Sequence, residues 1–207
     1  MKVKLSGSFR RYHADPQSCE LDADPLQDGL AAALQQNRFR SIDGPTAEKE
    51  SVGWTSLEGL VPASFEDFNP WLGKVLVLGL RVDVKRVPAG ALKVRRLERE
   101  AAERGAVGDR ILPDRRREIL EELEGELLSR QVPNTSVAQV VWNTQTGHLL
   151  FSATGEALNI AFRAIFRETF GRAVELVVPA GEAELYAEER ERMNAFEGAL
   201  PGDFRPQ

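Results

Sequence analysis

Lys74-Val75-Leu76-Val77-Leu78-Gly79-Leu80-Arg81-Val82-Asp83-Val84-Lys85-Arg86-Val87 carries the clearest structural pattern in the chain. Leu76, Leu78, Leu80, Val82 and Val84 recur with a period of two, which places them on one face of a β-strand. Val75 and Val77 occupy the opposite face at the start, followed by Gly79, Arg81, Asp83 and Lys85. The pattern predicts a long strand buried on both sides at its first end, with charge turned outward at its second.

Toward the N-terminus, Val52-Gly53-Trp54 reads as a second strand, and Asp43-Gly44-Pro45 as a turn. Leu26, Leu30, Ala33 and Leu34 follow Asp24-Pro25 at helical spacing, so an amphipathic helix is expected to end near Asn37. Val3, Leu5 and Phe9 predict a first, half-buried strand. Toward the C-terminus the period changes at Pro88. Residues 92–104 are rich in helix formers, and Gly105 is the expected stop. Pro113 opens a second helix with an apolar stripe of Ile119, Leu120, Leu123, Leu127 and Leu128, and Pro133 lies beyond its end. Residues 136–142 and 148–153 read as a hairpin joined by Asn143-Thr144-Gln145-Thr146-Gly147. Thr154 is the expected cap of a helix carrying Leu158, Ala161, Phe162, Ile165 and Phe170, with Gly171 as its left-handed stop. Val174, Leu176 and Val178 form a last strand, and 182–196 reads as a charged helix.

The predicted order is β-α-β-β, two helices, then β-β-α-β. Strands and helices mix without regular βαβ alternation, which argues for an α+β fold of antiparallel or mixed sheets with a central helical pair. Four regions follow: 1–87, N-terminal α+β; 88–133, the helical pair; 134–180, β-β-α-β; and 181–207, a charged tail.

The chain of 207 residues is 42% apolar and 29% charged, a globular composition. No apolar run approaches the roughly 18–20 residues that span a bilayer. The first residues lack the features of a secretory leader, and a single cysteine, Cys19, suits a reducing compartment, so a cytoplasmic location is expected. The net charge of −5 argues against a surface that is basic throughout, but leaves room for a local basic face.

Catalytic chemistry has little to build on. His13, Cys19 and His148 form no metal-binding spacing, and no phosphate-binding glycine loop follows a strand. The carboxylates at Glu118, Glu121, Glu122, Glu124 and Glu126 read as a solvated helical face. Trp54, Trp71 and Trp142 lie in or beside apolar strands, where core packing is the default. We therefore expect no enzyme, no cofactor and no metal. What stands out is basic clustering on the helical pair: Lys93, Arg95, Arg96, Arg99 and Arg104, then Arg110 and Arg115-Arg116-Arg117. Arginines at a helix N-terminus are unfavourable without an anion and so hint at phosphate. The competing reading is a solvated surface with pairs such as Arg117–Glu121.

Residues 52–171 resemble the RdgC family of recombination-associated proteins. The resemblance is carried by Val52-Gly53-Trp54, by Gly73-Lys74-Val75-Leu76-Val77-Leu78, and by Val87-Pro88 leading to Ala91-Leu92-Lys93. It continues through Glu126-Leu127-Leu128-Ser129-Arg130, through Val140-Val141-Trp142-Asn143 with Gly147, and through the glycine-terminated helix that follows. The family implies a homodimeric ring around duplex DNA that limits access of a RecA-type recombinase. For this chain it implies a nucleoid-associated, non-sequence-specific DNA-binding protein that modulates recombination. Lys93, Arg96, Arg99, Arg115, Arg116 and Arg130 are the expected backbone contacts. The alternative is a protein-interaction module of the same fold that has lost DNA binding. Three departures set the chain apart: family members are longer at the C-terminus, Val132 stands where a bulky aromatic is expected at the dimer gate, and the linker between the helices, lysine-rich in some members, is here 105–112 with only Arg110.

Overall fold

The computed structural model describes residues 7–14, 28–57, 69–107 and 111–178, with positions 65, 181 and 183; the side chains of 28 and 105–107 are not included. The described elements are β1 (Arg10–His13), α1 (Asp28–Gln36), β2 (Glu50–Thr55), β3 (Trp71–Leu72), β4 (Val75–Val84), α2 (Ala89–Val107), α3 (Pro113–Ser129), β5 (Asn134–Asn143), β6 (His148–Phe151), α4 (Glu156–Phe170) and β7 (Glu175–Leu176). The fold is α+β, and all strands belong to one antiparallel sheet ordered β2-β4-β5-β6-β1-β7, with β3 on the end of β4. β4 pairs with β5 along its whole length, from Val75↔Asn143 to Val84↔Asn134. Strands from before α2 and after α3 are thus direct neighbours, and the helical pair is an insertion in the β4–β5 connection.

One face of the sheet carries the main core. Leu76, Leu78, Leu80 and Val82 of β4 and Ala138, Val140 and Trp142 of β5 pack toward Leu30 and Leu34 of α1 and Phe162, Ile165 and Phe166 of α4. Aromatic rings fill the space. Phe151 stacks on Phe162 at 4.4 Å, and Trp142 meets Phe166 and Phe170 edge-on at 5.1 and 5.3 Å. The polar atoms in this layer are largely matched, as burial requires. Tyr12 donates its hydroxyl to Asn159 Oδ1 at 2.6 Å, Asn159 donates to the carbonyls of Ala153 and Gly155, and Trp54 Nε1 donates to Thr169 Oγ1 at 2.7 Å.

The second face corrects one expectation. Asp83 and Lys85 do not turn outward; they are 0% and 2% exposed. Residues 38–47 fold over this end of the sheet and seat Phe39 and Ile42, both buried, against it. Gly53 is what allows this approach, since a Cβ there would collide with the Phe39 backbone. Arg81 grips Asp83 bidentately, Nε to Oδ1 at 2.9 Å and Nη2 to Oδ2 at 2.7 Å, and its guanidinium lies 4.3 Å over the Phe39 ring. Lys85 donates from Nζ to the carbonyls of Gly44 and Thr46. Asp83 is satisfied by Arg81 of the same strand and Lys85 by the cover, so this end of the second face is closed without an apolar run that the sequence would reveal.

Other boundaries also move. α2 continues through Gly105 to Val107, and α4 is preceded by Gly155 at its N-cap with no side-chain cap, so Thr154 does not serve. Pro113 does open α3, and Gly171 ends α4 at φ 68° with its N–H on the Arg167 carbonyl. The last strand is only two residues long, with Leu176 and Val178 half exposed. Val3, Leu5, Asp24-Pro25, Cys19 and the tail from 184 lie outside the described residues.

Removing one partner of a buried, hydrogen-bonded charge pair typically costs about 3–5 kcal/mol. Asp83→Ala is therefore expected to lower unfolding free energy by about 3 kcal/mol or more, measured by urea denaturation. A loss under about 1 kcal/mol would mean the pair is solvated.

Candidate functional site: the charged helical pair

α2 and α3 run antiparallel, as the Glu103–Arg115 and Arg99–Glu122 contacts require. Their shared core is small: Ile111, Ile119 and Leu123, with Leu92 packed against them. Farther along α3, Lys49 reaches Glu124 at 2.7 Å and Gly125 lies close to Ala47, which ties α3 to the cover over the sheet.

Charge organises the rest of the pair. Arg115, in the first turn of α3, does not face solvent as an anion trap. It spans to α2, placing Nη2 2.6 Å from Glu103 Oε1 and Nε 3.2 Å from Oε2, while Nη1 meets Glu118 Oε2 and Glu122 Oε1 at 3.0 Å each. These hydrogen bonds, Glu103 first and then Glu118 and Glu122, raise the guanidinium pKa above its ordinary value. The same contact holds the Glu103 carboxyl below the usual carboxylate range, with Arg99 adding a smaller pull. Glu100, only 8% exposed, sits between Arg96 at 3.6 Å and Arg104 at 3.4 Å. The Arg96 Nε is buried at that spacing without a hydrogen bond, so this contact is electrostatic only.

Each predicted phosphate contact can now be placed. Arg96, Arg99, Arg115 and Arg130 are paired with Glu100, Glu122, Glu103 and Glu126 respectively. Lys93 and Arg116 are exposed and make no ion pair with a described residue. Lys93 lies in the second turn of α2 and Arg116 in the first turn of α3, toward opposite ends of an antiparallel pair and separated by roughly 15 Å of helix. Four of the six are thus engaged by carboxylates of the pair itself. Arg117 pairs loosely with Asp114 at 3.9 Å, where Glu121 was expected. Between residues 89 and 130 there are ten Lys and Arg against ten Asp and Glu, so the pair has no net charge with which to concentrate phosphate.

The face of α2 turned from α3 is apolar. Val94 and Leu97 are 54% and 52% exposed, and Ala101 continues their spacing. Leu112, before α3, is 66% exposed. The sequence reading concentrated on the cations and missed this stripe, although Val94, Leu97 and Ala101 at intervals of three and four are legible. The Arg115–Glu103 staple had no such signal, because it joins residues twelve apart on different helices. Among the described residues no group of three or more His, Cys, Asp or Glu is arranged to hold a metal. His13 and His148, cross-strand neighbours, meet edge-on at 5.7 Å.

Because the folded Glu103 pKa is depressed, its contribution to stability is present above the ordinary carboxylate range and lost as pH falls through the lowered value. Glu103→Gln should therefore flatten the loss of helical-pair stability between about pH 5 and pH 3, followed by circular dichroism melting. An acid profile identical to that of the unsubstituted protein would contradict the staple.

In comparisons with known proteins, no family model and no curated protein matches the chain.

Proposed function

We propose that this chain is a binding protein that works through protein contacts of its helical pair, associating with a second copy of itself along α2. The carrying observation is that the pair's arginines are largely engaged by its own glutamates, while Val94 and Leu97 stand uncovered on the opposite side of α2. Val94, Leu97 and Ala101 keep the three-and-four spacing of a helix–helix seam. Lys93 and Glu98 flank that seam five residues apart, the offset at which flanking charges of two parallel helices meet, and Lys93 has no ion pair of its own with a described residue. A two-fold contact matches one surface with itself, which suits a stripe with one cation and one anion beside it.

A second reading, duplex-DNA binding by phosphate contacts, keeps the support of Lys93 and Arg116, both exposed without an ion pair to a described residue. It also draws on the motif order shared with the RdgC family, for which modulation of recombination is the implied role. The balance of charge on the pair weighs against it.

Two measurements separate the readings. By sedimentation, Leu97→Glu should raise the dimer dissociation constant at least about tenfold, and unchanged association would remove α2 from the interface. In low-salt anisotropy, Lys93→Glu with Arg116→Glu should change duplex affinity by less than about threefold. A loss of about tenfold or more, equal for all sequences, would favour DNA.

A further inference from the structure

A groove of about 620 Å³ lies between α4 and the free edge of β2 and is lined by no residue of the helical pair. β2 is the terminal strand of the sheet, and only part of its outer edge is covered. Trp54 donates its N–H to the Asn37 carbonyl and accepts from the Phe39 N–H, so residues 37–39 close the edge there. Backbone direction repeats every second residue in a strand. Val52 therefore points its N–H and C=O the same way, into the groove, where no described backbone group meets them. An open strand edge is a ready template for another extended chain.

The groove's walls say what kind of chain. Ile160, 55% exposed, with Ala157, Ala161 and Ala164, makes an apolar ledge along α4 facing β2. Arg38 and Arg40 line the same groove, are exposed, and make no ion pair with a described residue. Glu50 and Glu168 also line it and make no ion pair with a described residue, so a bound chain must set its carboxylates at Arg38 and Arg40 and away from those two. Unengaged guanidinium groups beside an open strand edge complement a carboxylate, which arginine grips with two parallel hydrogen bonds.

We propose that this groove docks an extended acidic segment of a partner protein, added as a strand to β2 at Val52. Its apolar side chains rest on the Ile160 ledge, and its carboxylates meet Arg38 and Arg40. Main-chain hydrogen bonds supply affinity in this mode, and alternate side chains supply specificity. The site shares no residue with the helical pair and stands independently of the function proposed for it.

The probe is a capped, fluorescein-labelled heptapeptide of alternating valine and aspartate, titrated into the full chain by anisotropy. Saturable binding is expected, weakened at least about tenfold when lysine replaces aspartate and when the central amide is N-methylated. Arg38→Glu with Arg40→Glu should weaken it to a similar degree, and Leu97→Glu should leave it unchanged. If the double variant does not fold, Ile160→Asp on the exposed ledge replaces it, with the same expected loss. Absence of saturable binding at millimolar peptide, equal binding of the aspartate and lysine peptides, or full affinity in the groove variant would each overturn the proposal.

Discussion

Burial of β4 on both faces is the constraint from which the rest follows. Its core face needs a helical layer, which α1 and α4 provide, and the charged end of its second face needs a cover, which residues 38–47 provide. That second burial takes Asp83 and Lys85 out of water, and isolated charges there would be prohibitive. Arg81, two residues from Asp83, and the carbonyls of Gly44 and Thr46, brought over Lys85 by the cover, resolve the conflict. The cover in turn supports α3 through Lys49 and Ala47, so the inserted helices are connected to the sheet by the segment that closes it.

The helical pair shows how a basic cluster in sequence can be paired internally in three dimensions. Individual surface ion pairs stabilise little. Their effect here is on the field: among the described residues of the pair, each Lys or Arg except Lys93 and Arg116 has a carboxylate beside it. Phosphate binding draws on summed positive potential, and alternating charges cancel that potential within a Debye length. An apolar stripe is not cancelled in this way, and it is the feature of α2 that most requires a partner.

The sequence was most legible where one physical rule dominated. Period-two alternation located β4, the 3.6-residue period located α1 through Leu30 and Leu34, and Gly171 marked the end of α4 because only a left-handed residue completes that cap. It was least legible where tertiary contacts decide. A glycine inside a helix costs about 1 kcal/mol relative to alanine, yet α2 passes through Gly105, just beyond the Glu103 contact with Arg115. Asp83 and Lys85 looked like a solvated face because their cover is a mostly polar loop whose packing depends on Phe39, Ile42 and the missing side chain of Gly53. The groove was invisible for the same reason, since Arg38 and Val52 meet only after α1 turns back along β2.

In the function proposed above, α2 acts through its apolar face and not through its cations. Amide hydrogen exchange along α2 and α3, compared at low and high protein concentration and again with excess duplex, distinguishes the two surfaces. Protection of residues 90–101 should rise with protein concentration and stay the same when DNA is added. Protection that ignores concentration but appears at residues 113–117 with DNA would contradict the account.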